Sequence, residues 1–147
     1  MLERLKLEEG WWTLFLVWAM VFVGSLAIRQ ADLITGLEIL AVVATLSVLS
    51  GLLLAKSSFS PLKAHFFSLI YGLFVVTFLV GRQLSPELVT WQERVLDMAQ
   101  RQGEWIAKIF TDEASRDGLI FVMHTSAVYW ILGYTAAWFT FRRRQTW

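Results

Sequence analysis

The chain alternates between long apolar blocks and short segments that carry most of its charge. Residues 11–28 contain no charged side chain, and a helix of that length spans roughly 27 Å, close to the thickness of a bilayer core. Similar blocks cover residues 34–55, 62–81 and 119–141. The first block is followed by loop-like polar residues rather than a small-residue cleavage site, which favours a retained helix over a signal peptide. The pattern predicts an all-α, four-transmembrane-helix bundle formed by one membrane domain over residues 1–147.

Residues 82–118 follow a different pattern, which is that of an amphipathic helix. Ser85 can cap a helix that begins at Pro86, and apolar residues then recur at helical spacing as far as residue 110. The predicted apolar face includes Trp91, Val95, Met98, Trp105 and Ile109. A helix of this kind, over about 86–110, lies in the membrane interface or covers a partner protein, and interfacial packing is the favoured interpretation.

Two further features bear on this amphipathic helix. Acidic residues precede basic ones by four positions at Asp97–Arg101 and at Glu104–Lys108, a spacing that stabilises a helix by about 0.2–0.5 kcal/mol for each pair. Gly103 costs about 1 kcal/mol relative to alanine. We therefore expect a helix supported by ion pairs, with Gly103 as a possible break.

Lysine and arginine are concentrated in three segments: the N-terminal segment, the loop between the second and third blocks, and the C-terminal segment. With four spans, these three segments lie on the same side of the membrane. These residues are Arg4 and Lys6 near the start, Lys56 and Lys63 between the second and third blocks, and Arg142, Arg143 and Arg144 near the end. Because positive charge is retained in the cytoplasm, both termini are predicted to be cytoplasmic, and residues 82–118 lie on the outer side.

Composition narrows the possible chemistry. The chain has no cysteine, two histidines and a net charge of +1, so cysteine nucleophiles, disulfides and thiolate metal sites are excluded within it, and no basic surface indicates nucleic acid. No nucleotide-binding loop, zinc-protease motif or catalytic triad can be assembled from its residues, so an enzyme is not expected.

The candidate binding residue is His124, which lies about six residues into the fourth span beside Thr125 and Ser126. Ionisable groups at membrane depth are costly and often functional. A neutral imidazole there could contact a pigment, a haem or a quinone, although no cofactor is predicted outright. The alternative is a histidine that is hydrogen-bonded to a neighbouring helix. His65 and Glu38 are interpreted as residues at the membrane border.

Small residues recur at four-residue spacing within the spans. They are Ser47, Gly51 and Ala55 in the second span, Ser68 and Gly72 in the third, and Gly133 and Ala137 in the fourth. Small side chains allow helix backbones to approach closely, which drives association within lipid. These positions are the predicted helix-packing sites of the bundle.

Four segments together resemble a known family. They are "EEGWWTLFLVWAMVF", "GLEILAVVATLSVLSGLLLAKS", "WQERVLDMAQRQGEWI" and "LGYTAAWFTFRRRQTW". Their order and spacing are similar to those of the N-terminal membrane region of bacterial transglutaminase-like (papain-like) membrane proteins. The resemblance implies a bacterial inner membrane, and in that family a further span and an external domain with a Cys-His-Asp triad follow. No position of this chain can carry that nucleophile, so the resemblance implies the membrane region without its catalytic domain.

Three functions remain open from the sequence. The first is a non-catalytic membrane anchor or scaffold related to that family, with the lipid bilayer and either other transmembrane subunits or a downstream domain as partners. The second is an accessory subunit of a photosynthetic or respiratory membrane complex, and the third is a small transporter or channel. Whether "RRRQTW" is a true end or precedes a further span is likewise open.

Overall fold

A computed structural model describes residues 10–111 and 117–142 of the chain. The helices in these ranges are α1 (Trp11–Gln30), α2 (Leu40–Ala55, entered through a 3-10 turn at Leu37–Ile39), α3 (Pro61–Gly81), α4 (Trp91–Phe110) and α5 (Gly118–Phe141). By length and composition, α1, α3, α5 and the continuous segment Leu37–Ala55 can each cross a membrane. The predicted all-α, four-span architecture is therefore confirmed, and the fold defines a multi-pass membrane protein.

Helices α2 and α5 form the centre of the bundle. They pack against each other along their lengths, and α1 and α3 lie beside this pair. One half of the core, around Leu40, Val80 and Val122, lies towards α4, whereas the other half surrounds Val48 and Ala137. Helix α1 is peripheral, since Ser25 is its one buried residue. Most of its apolar surface is left to lipid or to other spans.

Small residues lie where the helix backbones come closest. All seven predicted packing residues are buried: Ser47, Gly51, Ala55, Ser68, Gly72, Gly133 and Ala137. A Cβ atom added at Gly51 would lie 2.6 Å from the backbone oxygen of Tyr134 on α5, and one at Gly72 would lie 2.5 Å from the indole of Trp130. At both positions a larger residue would force neighbouring helices apart.

Polar side chains connect the ends of the bundle. At one end, the Arg142 guanidinium donates hydrogen bonds to the backbone oxygens of Ala55 (3.1 Å), Ser57 (3.0 Å) and Phe59 (2.7 Å), which ties the end of α5 to the loop between α2 and α3. At the other end, which we call the α4 end, Gln83 Nε2 donates to the Gly36 oxygen at 2.8 Å. The charged residues at 4, 6, 143 and 144 lie outside the described residues, and the side that faces the cytoplasm remains a prediction.

Two helix starts differ from the sequence-based prediction. Helix α4 begins at Trp91 rather than at Pro86, because Thr90 and Glu93 form a reciprocal capping box: Thr90 N donates to Glu93 Oε2 at 2.9 Å, and Glu93 N donates to Thr90 Oγ1 at 3.3 Å. This cap satisfies two backbone N–H groups, more than the predicted Ser85 cap would. The second span begins as a 3-10 turn at Leu37 and becomes α-helical at Leu40, rather than beginning at residue 34.

The interior of α4 matches the prediction in part. The Asp97–Arg101 pair is present, with Arg101 Nε 2.7 Å from Asp97 Oδ2. Glu104 instead accepts a hydrogen bond from Gln100 Nε2 at 2.9 Å. The helix continues without a break through Gly103, whose missing side chain would point into open space.

Candidate functional site: a cleft beside the amphipathic helix

Helix α4 is attached to α3 through Trp91 and Arg94. The Trp91 ring stacks on Phe78 of α3 with ring centroids 5.1 Å apart. Arg94 donates from its Nη1 to the oxygen of Gly81 (2.9 Å) and from its Nε to the oxygen of Leu88 (3.0 Å). Since Gly81 is the last residue of α3, the guanidinium binds one of the carbonyl groups that the helix end leaves without a partner in the helix.

A second arginine attaches α4 to the start of α5. Arg101 binds Asp97 on its own helix and, through Nη1, Asp117 Oδ2 at 2.9 Å. The other oxygen of Asp117 caps α5 by accepting from the backbone N–H groups of Leu119 (2.9 Å) and Ile120 (3.4 Å). The Arg101–Asp117 ion pair thus fixes the distance between the two helices.

Hydrogen bonding favours the charged forms of Asp117 and Arg101. Burial by itself would raise the pKa of Asp117, but hydrogen bonds from Arg101 and from the backbone outweigh burial and lower it. The hydrogen bonds to Asp97 and Asp117 raise the pKa of Arg101 above its usual value. The rim of the site therefore carries one guanidinium between two carboxylates, those of Asp97 and Asp117.

Beneath this rim lies a cleft of about 370 Å³ between α4, α5 and the end of α1. Its lining residues are Ile28, Trp105, Asp117, Ile120, Phe121, His124, Thr125, Val128 and Tyr129. The half-buried ring of His124 packs on Trp105, with ring centroids 4.6 Å apart and planes tilted by 58°. The cleft is thus mostly apolar, with a few polar groups, as is usual for a small-molecule site.

The two histidines have different surroundings. Within the described ranges, His124 has no hydrogen-bond partner. The alternative prediction, a histidine hydrogen-bonded to a neighbouring helix, therefore does not describe His124. It describes His65 instead, whose Nδ1 lies 2.8 Å from the hydroxyl of Tyr134 on α5. Glu38 is exposed in the 3-10 turn at the α4 end. His124 is therefore the histidine available to a ligand.

The predicted apolar face of α4 is divided between two surroundings. Met98 is buried and Trp105 packs on His124, so both face the bundle. Val95 and Ile109 are 46% and 56% exposed, and Trp91 contacts α3 with one side while remaining 44% exposed. The five predicted interfacial residues thus belong partly to the core and partly to the surface.

Several residues of this site carry no signal in the sequence. The Arg101–Asp117 pair joins residues sixteen positions apart, the Arg94 contact reaches back thirteen, and Tyr129 enters the cleft from the next turn of α5. Of the residues in these contacts, only Arg101 was singled out by the sequence, for its ion pair with Asp97. The spacing of residues along one helix cannot predict contacts that depend on how α4 packs against α3 and α5.

Comparison with known protein families, with curated proteins and with solved structures found no match to this chain. The resemblance to transglutaminase-like membrane regions therefore stays a prediction. What the described residues define is a multi-pass helical membrane protein with an amphipathic helix and a cleft at one end.

Proposed function

We propose that this chain is a non-catalytic integral membrane bundle that serves as an anchor or scaffold, with α4 lying in the outer membrane interface. The observation that supports it most is that α4 has three distinct faces. At about 100° per residue, successive side chains of a helix distribute around its whole circumference. The three faces of α4 suit contact with protein, with lipid and with water, respectively.

The bundle-facing stripe consists of Arg94, Met98, Arg101 and Trp105, which make the contacts to α3 and α5 described above. One position further around lies an exposed apolar stripe: Val95, Ala99, Ile106, Ile109 and Phe110. The remaining arc carries the exposed polar residues Glu93, Gln100 and Glu104, with the exposed Leu96 at its border with the apolar stripe. A helix that touches protein, lipid and water at the same time requires these three stripes.

The absence of cysteine from the chain allows a direct test of this placement. Ala99→Cys lies on the apolar stripe and Gln100→Cys on the polar arc; both parent residues are exposed and adjacent. In liposomes that contain the purified protein, we expect a membrane-impermeant maleimide to label Gln100→Cys and to spare Ala99→Cys, with both labelled after denaturation. Equal labelling in liposomes would contradict an interfacial helix.

The same variants distinguish lipid from a docked protein. If Ala99→Cys is protected in native membranes but labelled in liposomes, a partner protein covers the stripe. Orientation is tested by adding Ser58→Cys, an exposed position in the loop at the opposite end. Spheroplasts should show labelling of Gln100→Cys and none of Ser58→Cys if α4 lies outside.

The scaffold role predicts a stable partner. Isolation from native membranes in mild detergent should yield a second polypeptide in fixed proportion, whereas a chain that remains alone even after crosslinking would contradict the role.

The second candidate, an accessory subunit of a photosynthetic or respiratory complex, is favoured by the exposed aromatic side chains of α1 and α3, such as Trp12 (79%) and Phe74 (68%). Pigment- or haem-bearing subunits among the co-purified proteins would select that candidate.

A further inference from the structure

The cleft beside α4 contains three polar groups with unused hydrogen-bonding capacity. Within the described ranges, the imidazole of His124 and the hydroxyls of Thr125 and Tyr129 have no hydrogen-bond partner, although all three residues line the cleft. The Tyr129 hydroxyl lies against α1, since a Cβ atom added at Gly24 would be 3.2 Å from it. Among the other span hydroxyls, those of Thr135 and Thr140 donate to backbone oxygens of their own helix, whereas those of Ser50 and Ser126 are buried without a partner among the described residues.

Charge at the rim limits which ligand these groups can bind. Both oxygens of Asp117 are engaged, by Arg101 and by the backbone N–H groups of α5, so the carboxylate has no free oxygen for a ligand. What remains free is two hydroxyls and an imidazole, each of which can donate a hydrogen bond. An uncharged acceptor oxygen, such as a carbonyl, matches these donors without leaving a charge unpaired.

The position of the cleft indicates an amphiphilic ligand. His124 follows the first residue of α5 by six positions, which places it roughly 9 Å along the helix from the α4 end. Phe121 and Val128, on the wall of the cleft, are 40% and 53% exposed on the surface that a membrane would surround. An apolar chain can therefore leave the cleft into the bilayer while its polar head stays beside His124.

We infer that the cleft binds the carbonyl group of a membrane-borne amphiphile, through hydrogen bonds from His124, Thr125 and Tyr129 and ring contact with Trp105. Two sources share this chemistry, namely a lipid acyl ester and a quinone with an apolar tail. The volume of about 370 Å³ lies at the small end of the range for ligand sites and suits one head group. Binding here requires the membrane-spanning fold and does not depend on a scaffold role.

The test uses the full chain purified in an alkyl maltoside, a detergent without a carbonyl group. Equilibrium dialysis measures binding of three radiolabelled probes: a benzoquinone with a decyl tail, a short-chain diacyl phospholipid, and the ether-linked analogue of that phospholipid. Saturable binding of the quinone, or of the ester lipid in preference to the ether lipid, supports the site and identifies the source. Absence of saturable quinone binding together with equal uptake of ester and ether lipid overturns it.

Matched variants locate any binding in the cleft. Tyr129→Phe and Thr125→Val each remove one hydroxyl with little change of shape, and we expect each to weaken binding about fivefold. Tyr71→Phe and Thr135→Val are the controls, since the exposed Tyr71 and the half-buried Thr135 both lie outside the cleft, and they should leave binding unchanged. Unchanged affinity in both cleft variants would overturn the assignment.

A variant that fills the cleft keeps the test decisive if a hydroxyl variant fails to fold. Val128→Trp adds bulk at a wall residue that is 53% exposed, so it blocks the site without entering the core. Loss of probe binding in a variant that elutes like the parent on size exclusion supports the site. Retained binding in that variant contradicts it.

Discussion

Substitution of Gly51 by alanine should destabilise the bundle, because the contact between α2 and α5 leaves no room for a methyl group. The new Cβ would lie 2.6 Å from the Tyr134 backbone oxygen and 2.7 Å from the Ala137 Cβ. Non-bonded carbon atoms ordinarily sit about 3.5–4.0 Å apart, so the helices must separate by roughly 1 Å. Neither neighbour can rotate away, since one is backbone and the other is a Cβ atom.

The expected magnitude follows from two opposing effects. Overpacking of a tight core costs about 1–3 kcal/mol, whereas replacing a helical glycine by alanine gains about 1 kcal/mol. Gly51→Ala should therefore lower the free energy of unfolding by up to about 2 kcal/mol. Gly103→Ala is the matched control: it is also a helical glycine, but its added Cβ meets nothing within 4 Å, so only the gain of about 1 kcal/mol applies.

The assay is unfolding by SDS in mixed micelles, followed by circular dichroism, for the parent and both variants. The gain in helix propensity is common to both variants, so we expect Gly51→Ala to be less stable than Gly103→Ala by the cost of overpacking, about 1–3 kcal/mol. If both variants gain equally, helix propensity alone accounts for the result.

Two further predictions concern the attachment of α4. Arg94→Gln removes the charged donor to two backbone oxygens and should lower the free energy of unfolding by about 2 kcal/mol. Arg82→Gln, at an exposed arginine, is the control. An equal loss of stability in both variants would refute a specific role of Arg94 in attaching α4. For Asp117, the pKa in the folded protein is lowered below the ordinary value of an aspartate, so its stabilising effect is fully present above the ordinary pKa and is lost as the pH falls through the folded pKa. Thermal unfolding of the parent between pH 2 and 6 should show this loss of stability. The Asp117→Asn variant should lack this part of the pH dependence, and an identical pH dependence in the variant would contradict the ion pair.

The start of α4 shows how local sequence signals compete. "SPE" at residues 85–87 and "TWQE" at residues 90–93 both suggest a helix start. In the structure Ser85 Oγ accepts only a weak 3.4 Å bond from Glu87 N, whereas Thr90 and Glu93 cap each other. Both signals were present in the sequence, and the capping box was the stronger because it satisfies two donors rather than one.

The apolar face of α4 shows a different limit. Helical periodicity correctly groups Trp91, Val95, Met98, Trp105 and Ile109 near one side, but it does not tell protein from lipid, since both are apolar surroundings. Met98 is 5% exposed and Ile109 is 56% exposed, although the sequence treats them alike. That division depends on the angle at which Arg94 and Arg101 hold α4 against the bundle.

The sequence by itself determined the number of spans, their approximate bounds and the amphipathic helix between the third and fourth. Bilayer thickness sets the length of an apolar helix, and unpaired backbone groups are too costly in lipid to permit other structures, so hydropathy alone suffices for these features. Only the tertiary structure decided that His124 packs on Trp105 and has no hydrogen-bond partner among the described residues, and that Asp117 pairs with Arg101 above a cleft. Those contacts join helices α4 and α5, and their geometry follows from how the helices pack, which no periodicity along a single helix encodes.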